Sequence, residues 1–470
     1  MREGLLLPLL LSCLLISSHL LGKDTSADDL SGFSELDGFS DENSKLDTSQ
    51  NTQENTKASN FSSSGSIAFK TSYGYRPHSV DGVDYSRFNQ AQIALFLQLD
   101  YKINSDWKIR VSGDSFYDAI YDIYTQKKYN QNVLNTYKKQ LRFDDTYIQG
   151  RVSQNIDISV GRQIVVWGKS DSVRVTDVIN PLDNRLPGLT DIKDLRLSTT
   201  MFKLDYYIEK WNLSAMIIPE SRIFLEPAPR GEFFPVEEIF PVAPKPFIAL
   251  AQPTSSWENT QYAFAANGVF LGWDLSFYGA NVLDSKWHLE GTLPKAMRVV
   301  SKINMLGSAI NVAWGSFLFK SEIAYFSKLR YNSTQNEKNR IDTLGGFDYM
   351  GIKDTVVSLE VLNRHIFDYE SQMSGVHKGL VPDYIEEDEM QTALRLTRSF
   401  SNDSINATAL ISMFGHNWEY GGFARFWIEV ELANALNANI GIVDYRGGNK
   451  PFIQIISNND RIFADITYSF

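Results

Sequence analysis

The chain has 470 residues, with 45 basic and 56 acidic side chains and a formal charge of −11. That acidic balance argues against nucleic acid as a partner, since such proteins carry a basic excess. Its 29 Phe, 22 Tyr and 9 Trp fit either a large globule or a membrane barrel, because lipid-facing strands alternate and hide their hydrophobicity from averages.

Residues 1–22 read as a signal peptide: Arg2, an apolar run Leu5–Leu21, then small and polar residues from Gly22. The only cysteine, Cys13, lies inside it, so disulfides, cysteine nucleophiles and cysteine-bound metals drop out of the mature chain. No later stretch reaches eighteen consecutive apolar residues, which excludes helical spans. Residues 23–60 read as a disordered acidic tail, whose nine acids against Lys23, Lys45 and Lys57 supply six of the eleven net negative charges. Within it a hexad repeats in tandem, Leu30-Ser-Gly-Phe33-Ser-Glu35 and Leu36-Asp-Gly-Phe39-Ser-Asp41. Leu30, Phe33, Leu36 and Phe39 are candidates for docking a partner; the alternative is a chance duplication.

From residue 61 onward the hydrophobic period is two. Ala91, Ile93, Leu95, Leu97, Leu99 and Tyr101 share a face opposite Gln92, Gln98 and Asp100. Trp107, Ile109 and Val111 oppose Lys108, Arg110, Ser112 and Asp114. Farther on, Phe317, Phe319, Ile323 and Tyr325 oppose Lys320 and Glu322, and Ala424, Phe426, Ile428, Val430 and Leu432 oppose Arg425, Trp427, Glu429 and Glu431. Such alternation predicts strands, and their length suits a tilted bilayer crossing. Eighteen segments qualify: 65–75, 90–103, 106–117, 141–152, 156–167, 199–209, 211–218, 261–270, 272–283, 297–314, 317–328, 341–351, 353–366, 390–402, 403–415, 418–432, 434–446 and 459–470. Segments 211–218 and 261–270 carry the weakest pattern. The reading is therefore an all-β protein, a transmembrane antiparallel β-barrel of about 16 strands, within 14–18 and even-numbered, over 61–470. A soluble sandwich predicts the same alternation, but rarely continues for 400 residues without helices. The chain also closes on an alternating strand ending Tyr468-Ser-Phe470, which resembles the assembly signal of bacterial outer-membrane barrels. That resemblance implies an outer-membrane location in a Gram-negative bacterium, the barrel assembly machinery and outer-membrane lipid and lipopolysaccharide as partners, and a tail in the periplasm. Turns at Gly315-Ser316 and Asn402-Asp403 then fall on the periplasmic side. The long connections 118–140, 168–198, 219–260, 367–389 and 447–458 lie outside or fold into the lumen.

The most unusual segment is 160–200. Gly168-Lys169-Ser170 looks like part of a phosphate-binding loop, but Gln163 stands where that loop needs its first glycine. Arg162 falls on the face of Ile158 and Val160, where a charge in lipid costs about 2–4 kcal/mol at mid-depth. Either Gly161 makes a bulge that turns Arg162 inward, the preferred reading, or Arg162 lies at the membrane interface. The polar residues that follow point to a lumenal constriction or plug touching cargo, built from Arg162, Gln163, Trp167, Lys169, Asp171, Arg174, Asp177, Asn180, Asp183 and Arg185. The alternative is a loop merely pinned to the wall by salt bridges. Residues 219–253 hold eight of the fifteen prolines, with Phe224, Phe233, Phe234, Phe240 and Phe247. Proline excludes central strands here, leaving an apolar cap over the mouth or an immobile surface loop.

The sequence argues against an enzyme. His78, His288, His365, His377 and His416 are scattered, no metal-binding pair or nucleophile elbow appears, and no metal or other cofactor is implied.

Gly161-Arg-Gln-x-Val165-x-Trp167-Gly168 followed by Ile179-Asn180-Pro181-x-Asp183 resembles an uncharacterised family of proteobacterial outer-membrane barrels. These are generally encoded near exporters of the resistance-nodulation-division superfamily and a periplasmic lipid-carrier-like protein. Lys169 departs from the family, which commonly has an acid after Trp-Gly. The resemblance implies the outer-membrane element of an export route for hydrophobic or lipid-like molecules, with a periplasmic carrier or such a transporter as partner. A general diffusion porin and a barrel-embedded hydrolase or receptor are the rivals.

Overall fold

The structure is a computed structural model that describes residues 59–124, 128–243, 247–292, 295–375 and 381–470. The signal segment and the docking candidates Leu30, Phe33, Leu36 and Phe39 lie outside the described residues. Over Phe61–Phe470 the chain forms one closed antiparallel barrel of eighteen strands, the top of the expected range. In chain order these are β1 Phe61–Gly74, β2 Phe88–Lys102, β3 Trp107–Asp118, β4 Lys139–Ser153, β5 Ile156–Gln163, β6 Thr199–Ile208, β7 Trp211–Ile218, β8 Gln261–Phe270 and β9 Trp273–Leu283. They continue as β10 Lys302–Trp314, β11 Phe317–Leu329, β12 Lys338–Ile352, β13 Thr355–Ile366, β14 Asp388–Phe400, β15 Ile405–Phe414, β16 Gly421–Ala433, β17 Leu436–Arg446 and β18 Arg461–Ser469. Each strand pairs with its neighbours in sequence, and β18 closes on β1 from Ser66↔Ser469 to Gly74↔Arg461.

Alternation decides which face is outside. Ile93, Leu141, Phe264, Leu306, Ile440 and Ile466 are 48–81% exposed on the exterior, while their neighbours in sequence point inward. An apolar exterior and a closed ladder are what a bilayer demands, since no edge strand is left unpaired. One end carries the tight turns between barrel strands, including Leu271-Gly272 and Gly315-Ser316, whose glycines adopt φ of +79° and +57°. Left-handed residues at such positions match the strand twist. Exposed aromatics ring this end, among them Trp314 and Phe470, and Phe317 lies 4.6 Å from Tyr349. All long connections emerge at the other end.

The interior is not uniformly polar, although barrels of this size usually are. Across β6–β14 it is lined by Met201, Met216, Ala263, Ala265, Tyr278, Ala280, Met305, Ala309, Ala324, Leu344, Leu362 and Ala393, all buried. What covers them is the connection 164–198, which folds back into the barrel and contributes Trp167, Val173, Val175 and Ile179 to the same core. Each such side chain contributes on the order of 1.5–3 kcal/mol by burial.

The proline-rich connection 219–260 is also packed rather than spread over the mouth. Phe233 is fully buried against Val443, Tyr445 and Ile456, and Phe224, Phe234 and Phe240 are no more than 9% exposed. Glu232 pairs with Arg461 at 2.7 Å, and the Arg461 guanidinium lies 4.8 Å from the Phe233 ring.

Candidate functional site: a loop across the lumen

The loop 164–198 begins where β5 leaves the ladder. The amide of Val165 donates to Asn180 Oδ1 at 2.7 Å, and Asn180 Nδ2 donates to the carbonyls of Gln163 and Leu197 at 3.2 and 2.9 Å. Asn180 thus ties both legs of the loop together from a position 1% exposed. Arg174 and Arg196 both bond Asp177, at 3.1 and 2.9 Å. Burial pulls the Arg174 guanidinium below its usual value, against the opposing pull of Asp177. Trp167 stacks on Tyr278 of β9 at 4.8 Å. These residues shape the loop.

Two buried carboxylates of the wall hold it. Glu322 of β11, 2% exposed, accepts from the amides of Lys169, Ser170 and Thr176 at 2.6, 2.8 and 3.2 Å and from the Thr176 hydroxyl at 2.7 Å. Glu360 of β13, 1% exposed, accepts from the Ser170 hydroxyl and the amides of Asp171 and Ser172 at 2.7–3.0 Å. Successive backbone N–H groups form an anion-binding concavity, so Gly168-Lys169-Ser170 does cradle an anion, a carboxylate of its own barrel. Gly168 has φ +88°, and a Cβ there would sit 2.8 Å from Glu322 Oε1, so glycine is required.

Ion pairs extend the attachment around the ring. Lys169 pairs with Asp274 of β9 at 2.6 Å, and Asp171 with Lys320 of β11, which also bonds Asp348 of β12 at 2.7 Å. Asp191 bridges Arg395 of β14 and Arg425 of β16 at 3.1 and 3.2 Å. Tyr445 of β17 donates to the Pro187 carbonyl at 2.5 Å. Asp183 pairs with Arg185 at 2.5 Å and lies 3.6 Å from Arg142 of β4. Contacts with β4, β9, β11, β13, β14, β16 and β17 mean that the loop crosses the lumen. Exposed charge on the loop is presented by Asp171 and by Lys193 and Asp194 of the short helix Ile192–Leu195.

Arg162 differs from expectation. Pairing runs through Gly161 without a register shift, to Tyr147 on one side and Met201 on the other, so no bulge turns the strand. Arg162 keeps the exterior register of Val160 and pairs at the strand end with Glu220, not with an acid of 171–194. Burial alone would raise the Glu220 carboxyl, but hydrogen bonds from Thr200 and the Arg162 charge outweigh it and hold it below the usual value. Because both partners are partly exposed, at 29% and 20%, Arg162→Ala is expected to cost about 1 kcal/mol or less and to leave conductance unchanged. Thermal unfolding and single-channel recording check both halves.

Sequence reasoning placed Lys320, Glu322 and Arg425 on the face opposite the apolar one but gave them no part in holding a loop. Glu360 and Asp274 were missed altogether. Their one signal is a single acid on the inward register among mostly small or apolar residues. The His288 contacts do not form a relay: Glu290 and Ser301 both approach its Nε2, at 3.2 and 3.5 Å, so one nitrogen meets both. Among the described residues no group of three potential metal ligands gathers.

No curated protein matches the chain at a significant level. Among solved structures it is similar to OccAB3 of Acinetobacter baumannii, at 11% identity and TM-score 0.51, covering 87% of this chain and 99% of that one. The outer membrane protein opdK of Pseudomonas aeruginosa aligns at 11% identity and TM-score 0.49, covering 87% and 99%, and OccAB1 of Acinetobacter baumannii at 14% and 0.49, covering 87% and 96%. The first of these shows a likeness of fold. A family model matches residues 10–470, and the chain belongs to that family, described as "Protein of unknown function (DUF1302)".

Proposed function

We propose that the protein is an outer-membrane channel narrowed by its own loop 164–198, with the turn end in the periplasm and the long connections outside. The observation that carries this reading is the attachment of that loop to seven strands around the ring. A general diffusion porin needs a standing aqueous lumen, whereas here half of the inner wall is sealed under apolar side chains. Inward charges of both signs occur around the barrel, such as Arg110 paired with Asp100 at 2.8 Å, so strong ion selectivity is not expected. The finer reading is the outer-membrane element of an export route for hydrophobic or lipid-like molecules. It is supported by the family resemblance of Gly161–Asp183 and by an interior that is apolar where a porin is wet.

The test is planar-bilayer recording on the purified protein. Small, infrequent openings are expected. Large, steady openings would establish an open porin and remove the narrowing loop from the account. For export, a strain lacking the protein is expected to retain a hydrophobic compound that the parent releases; equal release would overturn that part.

A further inference from the structure

Beside the lumenal loop lies a chamber of about 1070 Å³ at the loop end of the barrel. Its volume is at the top of the roughly 300–1,000 Å³ usual for small-molecule sites. One wall is the connection 219–260, offering Leu225, Pro227, Pro229, Phe247, Ala249 and Leu250; the other is the helix Gln131–Tyr137 and the start of β4.

The apolar wall is preset. Phe247 stacks on Phe240 at 5.8 Å and packs edge-on against Phe234 and Trp287 at 5.7 and 6.4 Å. Arg298 lies behind it, its guanidinium 4.7 Å from the Phe247 ring.

The charges around the chamber are mostly spent. Arg298 is bonded to Glu226 at 2.5 Å and to the Ile248 carbonyl at 2.7 Å. Arg185 is held by Asp183 and by the Thr136 carbonyl at 3.0 Å, and Arg230 by Asp81. Lys139 is the exception: it lines the chamber, it is exposed, and no acid pairs with it among the described residues.

Position adds a further constraint. Lys139 is on the exterior register of β4, and the next two residues on that face, Leu141 and Phe143, are 81% and 62% exposed. Same-face neighbours on a strand are about 7 Å apart, so the free cation stands directly above the apolar exterior.

We propose that this chamber binds an amphiphile with a long apolar chain and a single anionic head. The chain lies along Phe247 and Leu250, and the head is paired with Lys139. The proposal rests on the outer-membrane placement given above, which sets the apolar exterior of β4 in lipid; it does not require the channel to open.

The experiment is photolabelling of the full protein in nanodiscs with a palmitic-acid analogue carrying a diazirine on its chain, the labelled residues being mapped by mass spectrometry. Labels are expected on 225–250, and Ala249→Trp, which fills the chamber from an exposed position, is expected to abolish them. Lys139→Gln is expected to reduce labelling by the acid about threefold to tenfold, as for one lost charge-assisted contact, while the matching fatty alcohol is unaffected. Labels confined to the exterior strands, or unchanged by Ala249→Trp, would overturn the site. An equal response of acid and alcohol to Lys139→Gln would overturn the head-group assignment. Heat-modifiable mobility of each variant verifies folding. Because labelling is independent of conductance, a silent bilayer with labels on 225–250 separates failure of the channel reading from failure of the site.

Discussion

A protein carrying both Glu322→Ala and Glu360→Ala is expected to show a several-fold increase in conductance with its barrel intact. Glu322 accepts four hydrogen bonds from the loop and Glu360 three. Bonds to a charged group contribute about 1.5–3 kcal/mol each. What remains without them is the burial of Trp167, Val173, Val175 and Ile179, at roughly 1.5–3 kcal/mol per side chain, and the ion pairs of Lys169, Asp171 and Asp191 with the wall. Loss of either glutamate alone is therefore comparable to what remains, and the loop should stay in place but flicker. Loss of both leaves the backbone amides of residues 169–172 and 176 without acceptors inside the barrel, and exposure to water becomes their better alternative. Global stability should fall less than the bond count suggests, because burying two carboxylates is itself costly. Glu322→Gln makes a useful control: its carbonyl oxygen still accepts, but its amide faces N–H groups. Single-channel recording and limited proteolysis within 164–198 report release directly. Wild-type conductance and an uncleaved loop in the double variant would show that the two carboxylates do not hold it.

The strands were legible in the sequence because a period of two is a local property. Even the faint segments 211–218 and 261–270 form strands β7 and β8 to the residue. Failures occur where alternation continues but pairing does not. Ile164 and Val166 extend the apolar face of β5, yet the ladder stops at Gln163 because the Val165 amide turns to Asn180. The stretch 297–314 splits because Met297–Val299 pairs with His288–Glu290 and only Lys302 onward joins the barrel. A lumenal loop, and one pinned to the wall by salt bridges, were both read from its charges, but not the partners that hold it. Glu322 and Ser170 are 152 positions apart, and no spacing rule reaches that far. Arg162 shows the same limit: alternation put it on the exterior face, the preferred bulge at Gly161 would have turned it inward, and its partner Glu220 is 58 positions downstream.

Deleting Phe470 is expected to remove most of the heat-modifiable barrel from the outer membrane, and Phe470→Asp should do nearly the same. The terminal residue exchanges two backbone hydrogen bonds with Gly65, at 2.8 and 2.9 Å, and its ring covers the site where a Gly65 side chain would project. Tyr468 packs beside it with ring centroids 6.4 Å apart. Two neutral hydrogen bonds contribute only about 0.5–1.5 kcal/mol each. The seam they extend is held by nine further residue pairs from Ser66 to Gly74. Loss of Phe470 is therefore too small a change to open the barrel by itself, and a large fall in the assembled protein would have to arise from recognition of the last strand before closure. The two causes separate experimentally. If recognition is the cause, the deleted protein refolded in detergent should melt within a few degrees of wild type, as about 1–3 kcal/mol implies for a chain of this size, although it fails to assemble in cells. Phe470→Trp, which keeps an aromatic terminus, should restore assembly. Normal amounts of outer-membrane barrel after deletion would show that the final phenylalanine is only the end of a strand.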